Sequence, residues 1–179
     1  MNGGLSQMTE KELQVRINLF LKQYFNTELE VWSIDHKKRI DIAMVHKTDY
    51  LKMFPIGIEI KTFDKKTGSD AGKWLNQART YSELDFIGYG KMLIIVAPQF
   101  SENVFSEGML MHKHIVHESA TQDHNVTTFL GQFGIGEFQR YNREDHYQHK
   151  TIRCSRIVYN GLLIWDERKD DFRPKNMKR

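Results

Sequence analysis

Two short segments in which apolar and charged residues alternate most constrain how this chain can fold. They are Arg39-Ile40-Asp41-Ile42 and Gly57-Ile58-Glu59-Ile60-Lys61. Because successive side chains of a β-strand point to opposite faces, the isoleucines of each segment are predicted on one face, with Asp41, Glu59 and Lys61 on the other. If the two strands are neighbours, one face of a sheet carries two carboxylates and an ammonium group close together.

Like charges placed this close together destabilise a fold unless something compensates them. A divalent cation would do so, because carboxylate oxygens are the ligands that hard cations prefer. Two acids that hold such a cation beside a lysine are sufficient to hydrolyse a phosphodiester, since the metal polarises the phosphate and acidifies water. The pattern therefore favours metal-dependent chemistry on phosphate esters.

The length and composition favour a single intracellular domain. At 179 residues the chain is expected to form one domain, residues 1–179, with a core of its own. Cys154 is the only cysteine, which excludes a disulfide framework and indicates a reducing, cytoplasmic setting. We expect no membrane association, because no apolar run is long enough to span a bilayer. The net charge of +3 permits nucleic-acid binding without arguing for it.

The first half of the chain predicts a mixed α/β core. Thr9 and Glu12 match the capping box that begins a helix, and apolar residues then recur at helical spacing to about residue 25. The further predicted elements are a hairpin over 29–46, a strand over 55–62, a helix after Gly68-Ser69-Asp70, and a buried strand over 91–97.

Beyond Pro98 the pattern is weaker. A helix is predicted over about 122–132 and a strand over 134–141. Asn160-Gly161 separates two apolar segments, and this dipeptide accommodates the positive φ angles of a tight hairpin turn. The charged tail, residues 166–179, is expected to fray.

The order of elements, with Asp41 on the second strand and Glu59-Ile60-Lys61 on the third, resembles the PD-(D/E)XK nuclease superfamily. The resemblance covers about residues 9–98, so residues 99–179 would be an elaboration that includes a C-terminal β-hairpin. It implies a restriction-endonuclease-like core, in which helices flank a central mixed β-sheet. Ile40 departs from the proline in the superfamily's name, which puts the subfamily in doubt more than the catalytic role.

The resemblance also implies roles for individual residues. Asp41, Glu59 and the carbonyl of Ile60 would bind Mg²⁺ or Mn²⁺, and Lys61 would orient the nucleophilic water or offset charge on the phosphate. A glutamate on the first helix often completes such sites, and Glu12 is the candidate. Gln77 and Tyr81 look like the Gln-x-x-x-Tyr accessory motif of helicase-linked and restriction-associated branches, and their i, i+4 spacing places both on one helical face.

Each of these residues also has a structural explanation. The acids and Lys61 could be surface charges on a solvated sheet. Glu12 is explained by its capping box or by a pair with Arg16, in which case Glu10 is the substitute. Gln77 could be a polar residue at a helix border and Tyr81 a core residue.

Two clusters of basic residues are predicted on loops beside the acids, where they could contact phosphates or simply keep the loops soluble. They are Lys37, Lys38 and Arg39 in the hairpin, and Lys65, Lys66 and Lys73 before the second helix.

Histidines suggest a competing zinc site, although no cysteine lies near them. They are His112, His114, His117, His146 and His149.

Three functions follow from the sequence. The first is a metal-dependent nuclease that acts on DNA, with RNA not excluded. The second is a non-catalytic nucleic-acid-binding subunit on the same scaffold, in replication, transposition or defence. The third is a protein-interaction domain. A homodimer or a place in a larger nucleic-acid-processing complex is compatible with each of them.

Overall fold

The elements of this chain form a mixed α/β arrangement in the computed structural model, which describes residues 9–51, 53–61, 71–97, 130–145 and 150–177. Within these ranges the helices and strands follow one another in this order: α1 Glu10–Leu21, β1 Phe25–Trp32, β2 Arg39–His46, β3 Ile56–Ile60, α2 Ala71–Glu83, β4 Asp85–Phe86, β5 Gly90–Lys91, β6 Leu93–Ala97, β7 Ile135–Asp145, β8 Lys150–Tyr159, β9 Leu162–Asp166, β10 Asp171–Phe172 and a 3₁₀ helix Pro174–Met177.

One eight-stranded sheet organises the described residues, in the order β1-β2-β3-β6-β7-β8-β9-β10. The β3–β6 and β6–β7 pairs are parallel, and the other pairs of this sheet are antiparallel. A parallel pair needs a crossover connection, and α2 lies in the connection between β3 and β6. The short β4–β5 hairpin forms a separate sheet.

Helices cover both faces of this sheet around β3. Ile17 and Leu21 of α1 pack with Ile58 on one face, whereas Ala78 and Tyr81 of α2 lie in the apolar cluster of the other face. All five residues of β3 are buried as a result. The surface-charge explanation therefore fails for the acid on this strand, because a solvated face would leave it exposed.

The N-terminal helix begins as predicted and ends earlier. Both hydrogen bonds of the capping box between Thr9 and Glu12 are present. The helix stops at Leu21, and Phe25 opens β1 instead of closing α1. The predicted end at residue 25 is wrong because Phe25 is buried for a different reason: it is the first core residue of a strand and packs edge-on against Trp165.

The predicted hairpins and strands are confirmed where the structure describes them. β1 and β2 pair antiparallel, and β7 includes most of the residues predicted to form a strand at 134–141. Asn160 and Gly161 have φ angles of 49° and 71° and connect β8 to β9, as the hairpin prediction required. Of the helix predicted over 122–132, only residues 130–132 lie within the described part, and they are helical.

The C-terminal tail is docked on the core, so the prediction that it frays is wrong for residues 166–177. Asp170 accepts hydrogen bonds from Trp165 Nε1 at 3.0 Å and pairs with His46 Nε2 at 2.9 Å. The ring of Phe172 stacks on His46, with 4.7 Å between the ring centroids. These partners are distant in sequence, which is why the charged composition of the tail did not predict them.

Replacing Asp170 by Ala should destabilise this docking by about 1–3 kcal/mol, because it leaves the buried Trp165 N–H without its acceptor. Urea unfolding followed by tryptophan fluorescence measures the change. Asp171→Ala is the matched control, since Asp171 makes an exposed ion pair with Arg173 and should change stability little. Equal stability of the two variants would contradict the docking role of Asp170.

Candidate functional site

Asp41 and Glu59 lie on neighbouring strands, which is the condition set by the sequence analysis, and the two strands are antiparallel. β2 and β3 pair with Ile42 opposite Ile58 and Ala43 opposite Gly57, and the same register continued by one residue places Asp41 opposite Glu59. Asp41 Oδ2 accepts a hydrogen bond of 2.7 Å from the backbone N–H of Ile60, the residue after Glu59. The two carboxylates therefore meet where the pairing of β2 with β3 ends.

The strand carrying Asp41 is irregular at this point, which corrects the predicted alternation. Ile40 packs in the apolar cluster beneath α2, whereas Ile42 packs on the α1 face. On the neighbouring strand β1, Glu30 lies opposite Asp41 in the register. Glu30 has a φ angle of 58°, in the left-handed region that a non-glycine residue rarely adopts. Strict alternation would have put both isoleucines on one face, so the backbone turns over at Asp41.

Polar contacts from α1 hold this irregular segment in place. The Gln14 side chain is 3% exposed, and its Nε2 donates to Glu30 Oε1 at 2.8 Å and to the carbonyl oxygen of Asp41 at 2.9 Å. Lys11 and Arg39 form ion pairs with Glu30 at 3.3 and 2.7 Å. Backbone strain of this kind persists only where the surroundings fix it, and these contacts fix the backbone that carries Asp41.

Glu59 has two oxygens in different environments. The residue is 4% exposed, and its Oε1 accepts from Lys61 Nζ at 2.7 Å and from Gln77 Nε2 at 2.6 Å. Gln77 also donates to the Tyr81 hydroxyl at 2.8 Å, so Gln77 contacts the acid directly and Tyr81 contacts Gln77. Among the described residues, Glu59 Oε2 is buried and has no hydrogen-bond partner. A buried carboxylate oxygen left this way costs free energy unless a ligand occupies it.

The site resists holding two negative charges. Burial, followed by the charge of Asp41, raises the pKa of Glu59 to about 7. Burial also raises the pKa of Asp41, against the opposing hydrogen bond from Ile60. Two acids whose neutral forms are favoured in this way become fully ionised when a cation joins them.

Lys61 keeps its proton in this environment. Burial alone would lower its pKa, but the hydrogen bond and the negative charge of Glu59 outweigh burial and raise it above the ordinary value. The side chain is therefore an ammonium group at neutral pH. It can supply positive charge at the site, but it cannot accept a proton as a base.

The two glutamates at the start of α1 are placed differently. The Glu12 carboxylate accepts hydrogen bonds from the backbone N–H and the hydroxyl of Thr9, at 2.8 and 3.0 Å, and so is part of the helix cap. After burial and the nearer groups, the charge of Glu10 also raises the pKa values of Asp41, Glu59 and Lys61. Of the two acids, Glu10 is the one that lies near the cluster.

The predicted basic residues are only partly placed beside the acids. Lys37 and Lys38 are exposed on the β1–β2 loop, and Arg39 opens β2, two residues before Asp41. Lys73 is exposed on the first turn of α2. Lys65 and Lys66 lie outside the described residues, as do the histidines of the zinc hypothesis (112, 114, 117, 146 and 149).

The oxygen donors fit a hard cation that keeps much of its hydration. Within the described ranges, no group of three or more His, Cys, Asp or Glu side chains could hold a metal. Mg²⁺ does not need such a group, because it usually keeps several waters and takes one or two carboxylates. The unsatisfied Glu59 Oε2, with Asp41 opposite, matches that requirement.

Sequence reasoning missed Gln14 and Glu30. Gln14 lies one turn after Glu10 and on the same side of α1, and this spacing was the only signal for it. Glu30 gave no signal, because its role depends on a backbone irregularity that alternation of residue types does not reveal.

Comparisons with known proteins identify no relative of this chain: no family model, curated protein or solved structure matches it. None of the helices within the described residues is long and apolar enough to cross a membrane.

Proposed function

We propose that this protein is a metal-dependent nuclease that hydrolyses phosphodiester bonds in DNA, on a PD-(D/E)XK core of the restriction-endonuclease-like type. The observation that carries the proposal is the pairing of a half-buried Asp41 with a buried Glu59. One oxygen of Glu59 lacks a hydrogen-bond partner among the described residues, and an ammonium group lies 2.7 Å from the other. A buried acid with a strongly raised pKa beside specific charge partners is typical of a functional site.

Asp41, Glu59 through Oε2, and the carbonyl of Ile60 would hold Mg²⁺ or Mn²⁺. The bound cation would polarise the phosphate and acidify the attacking water. The chain's own groups would position this chemistry: Lys61 and Gln77 hold Oε1 of Glu59, so Oε2 would be the oxygen that binds the cation. The ammonium group of Lys61 would offset charge that develops on the phosphate.

Cleavage of plasmid and oligonucleotide DNA in Mg²⁺ or Mn²⁺, with EDTA as the control, tests the proposal. We expect cutting that requires the cation and stops in EDTA. Cutting that persists in EDTA would contradict the metal role, and no cutting of DNA or RNA with either cation would contradict the nuclease.

A non-catalytic subunit on the same scaffold is the second candidate. One observation favours it: no group of three or more His, Cys, Asp or Glu side chains that could hold a metal is present among the described residues. Tight, salt-sensitive DNA binding without any metal-dependent cutting would support it. For either candidate we propose a cytoplasmic setting, in which the buried Cys154 stays a free thiol.

The two acids of α1 make a matched pair for mutation. Glu10→Gln should lower cleavage several-fold and weaken Mn²⁺ binding, because it removes a negative charge that acts on all three site residues. Glu12→Gln should leave both unchanged and slightly lower helix stability, since its carboxylate serves the cap. Cleavage rates and Mn²⁺ titration measure these effects. The reverse pattern would make Glu12 the helix acid of the site.

A further inference from the structure

Three large apolar side chains are exposed together at the end of the sheet beside the acids. Trp32, Ile34 and Ile87 are 42%, 63% and 47% exposed. Their backbones are tied to one another, since Ile34 N–H donates to Asp85 O at 2.9 Å and Ile87 N–H donates to Trp32 O at 3.0 Å. We call Trp32, Ile34 and Ile87 the Trp32 ridge. Its fixed backbone means that the ridge presents a preformed surface.

A guanidinium group and an imidazole ring lie near the indole ring of this ridge. The guanidinium of Arg39 lies 5.4 Å from the centroid of the Trp32 ring, and the His36 ring lies 6.4 Å away. Lys37 and Lys38 are exposed on the same loop, so residues 35–39 carry three basic side chains against the single acid Asp35. An aromatic face bordered by such cations is complementary to a nucleotide, whose base stacks while its phosphates meet the positive groups.

The ridge is close to the acids along the chain. Trp32 pairs with Arg39 in the β1–β2 register, and Arg39 precedes Asp41 by two residues. Two residues of a strand span about 7 Å. A base on Trp32 would therefore lie on the same short stretch of a strand as a phosphate held at Asp41.

We propose that the Trp32 ridge binds an unstacked base of single-stranded nucleic acid next to the scissile phosphate, and that the substrate class is single-stranded or flapped DNA. That the bound phosphate is the one cut rests on the proposed nuclease function, but binding of the base needs no catalysis. A base inside a duplex is already stacked on both sides and cannot use an exposed indole, whereas a single strand can.

Binding without cleavage tests the ridge separately from the nuclease. The assay is fluorescence anisotropy at low salt in EDTA, with a labelled 20-nucleotide oligo-dT strand and a duplex of the same length. We expect the wild-type protein to prefer the single strand, and Trp32→Ala to weaken that binding by about 10-fold while leaving duplex binding unchanged. Trp32→Phe should retain most of the affinity, because it keeps a stacking ring.

Tyr50→Ala is the matched control, since Tyr50 is an exposed aromatic (88%) beyond the other end of β2, and it should bind like the wild type. Circular dichroism checks folding, and if Trp32→Ala does not fold, the Phe variant is compared for quenching of tryptophan fluorescence by the strand. The expected quenching of the wild type is lost in Trp32→Phe.

Several results would overturn the inference: equal binding by the wild type and Trp32→Ala, an equal loss of duplex binding, no binding of the single strand, or quenching unchanged in Trp32→Phe. The same assay with Asp41→Asn separates the two proposals. Trp32-dependent binding of the single strand by Asp41→Asn would show that the ridge acts without catalysis, and the same binding by a wild type that cuts no DNA or RNA with either cation would uphold the ridge and contradict the nuclease.

Discussion

Asp41→Asn and Glu59→Gln should each lower metal-dependent cleavage by about 10²-fold or more, because each change removes a carboxylate charge that a cation needs while keeping the size of the side chain. The fold should be retained in both. The Asn side chain can still accept the hydrogen bond from the Ile60 N–H, and the Gln carbonyl can still accept from Lys61 and Gln77. Initial rates on one oligonucleotide at saturating Mn²⁺ measure the loss.

Glu83→Gln is the control for removing a carboxylate from this protein. Glu83 is an exposed residue at the end of α2 and pairs with Arg79 at 3.7 Å, away from the acids. We expect wild-type cleavage from it. A rate near that of the wild type in Asp41→Asn or Glu59→Gln would show that any cutting activity arises elsewhere in the chain.

Lys61→Met adds a test of how the lysine acts. Lys61 stays an ammonium group and its hydrogen bond and charge lower the pKa of Glu59, so we expect a loss of rate and a shift to higher pH of the point at which activity appears. A lysine that acted as a base would instead remove a titration from the pH profile. The profile of the variant against that of the wild type distinguishes the two roles.

The sequence was informative where a single local pattern controls the structure. The alternation of residues around Glu59 depends only on β3 being a strand. The tight turn depends only on the φ angles of Asn160 and Gly161, so both features could be predicted from local sequence. The break at Asp41 could not be predicted in this way, because it depends on Gln14 and Glu30, which come from two other elements.

The same reasoning explains the errors at the two ends of the chain. Phe25 satisfies helical spacing, but Trp165, which lies 140 residues later, packs it as the start of a strand. The tail is highly charged, yet a buried His46 and the indole N–H of Trp165 bind Asp170. Contacts between residues far apart in the chain decide both cases, and local composition does not record them.

Ionisation of Glu59 should make the metal-free protein less stable as the pH rises. Its pKa is raised from 4.5 to about 7 in the folded protein, so the folded state holds its proton more tightly than the unfolded chain does. The stability that this group contributes is fully present below pH 4.5 and is lost as the pH rises through about 7. Above that pH the free energy of unfolding is lower by about 3 kcal/mol, since a tenfold change in proton affinity corresponds to about 1.4 kcal/mol.

Glu59→Gln should therefore unfold at higher urea concentration than the wild type at pH 8 in EDTA, and at nearly the same concentration at pH 5. The difference between the two proteins isolates Glu59, because other titrating carboxylates, such as Glu30 and Asp170, are common to both. Urea unfolding at several pH values from 5 to 8 measures it. The variant that loses cleavage would thus be the more stable protein, as expected where a strained site serves function.

Addition of Mg²⁺ or Mn²⁺ should reverse this order. A cation binds the ionised carboxylates of the folded state, so it stabilises the wild type by about 4.1 kcal/mol at a concentration of roughly 1,000 times its Kd, and it stabilises Glu59→Gln far less. Glu83→Gln should follow the wild type at every pH, with and without the cation. Parallel stability curves for the wild type and Glu59→Gln between pH 5 and 8, or equal stabilisation of both by the cation, would mean that Glu59 neither titrates near neutrality nor binds the metal.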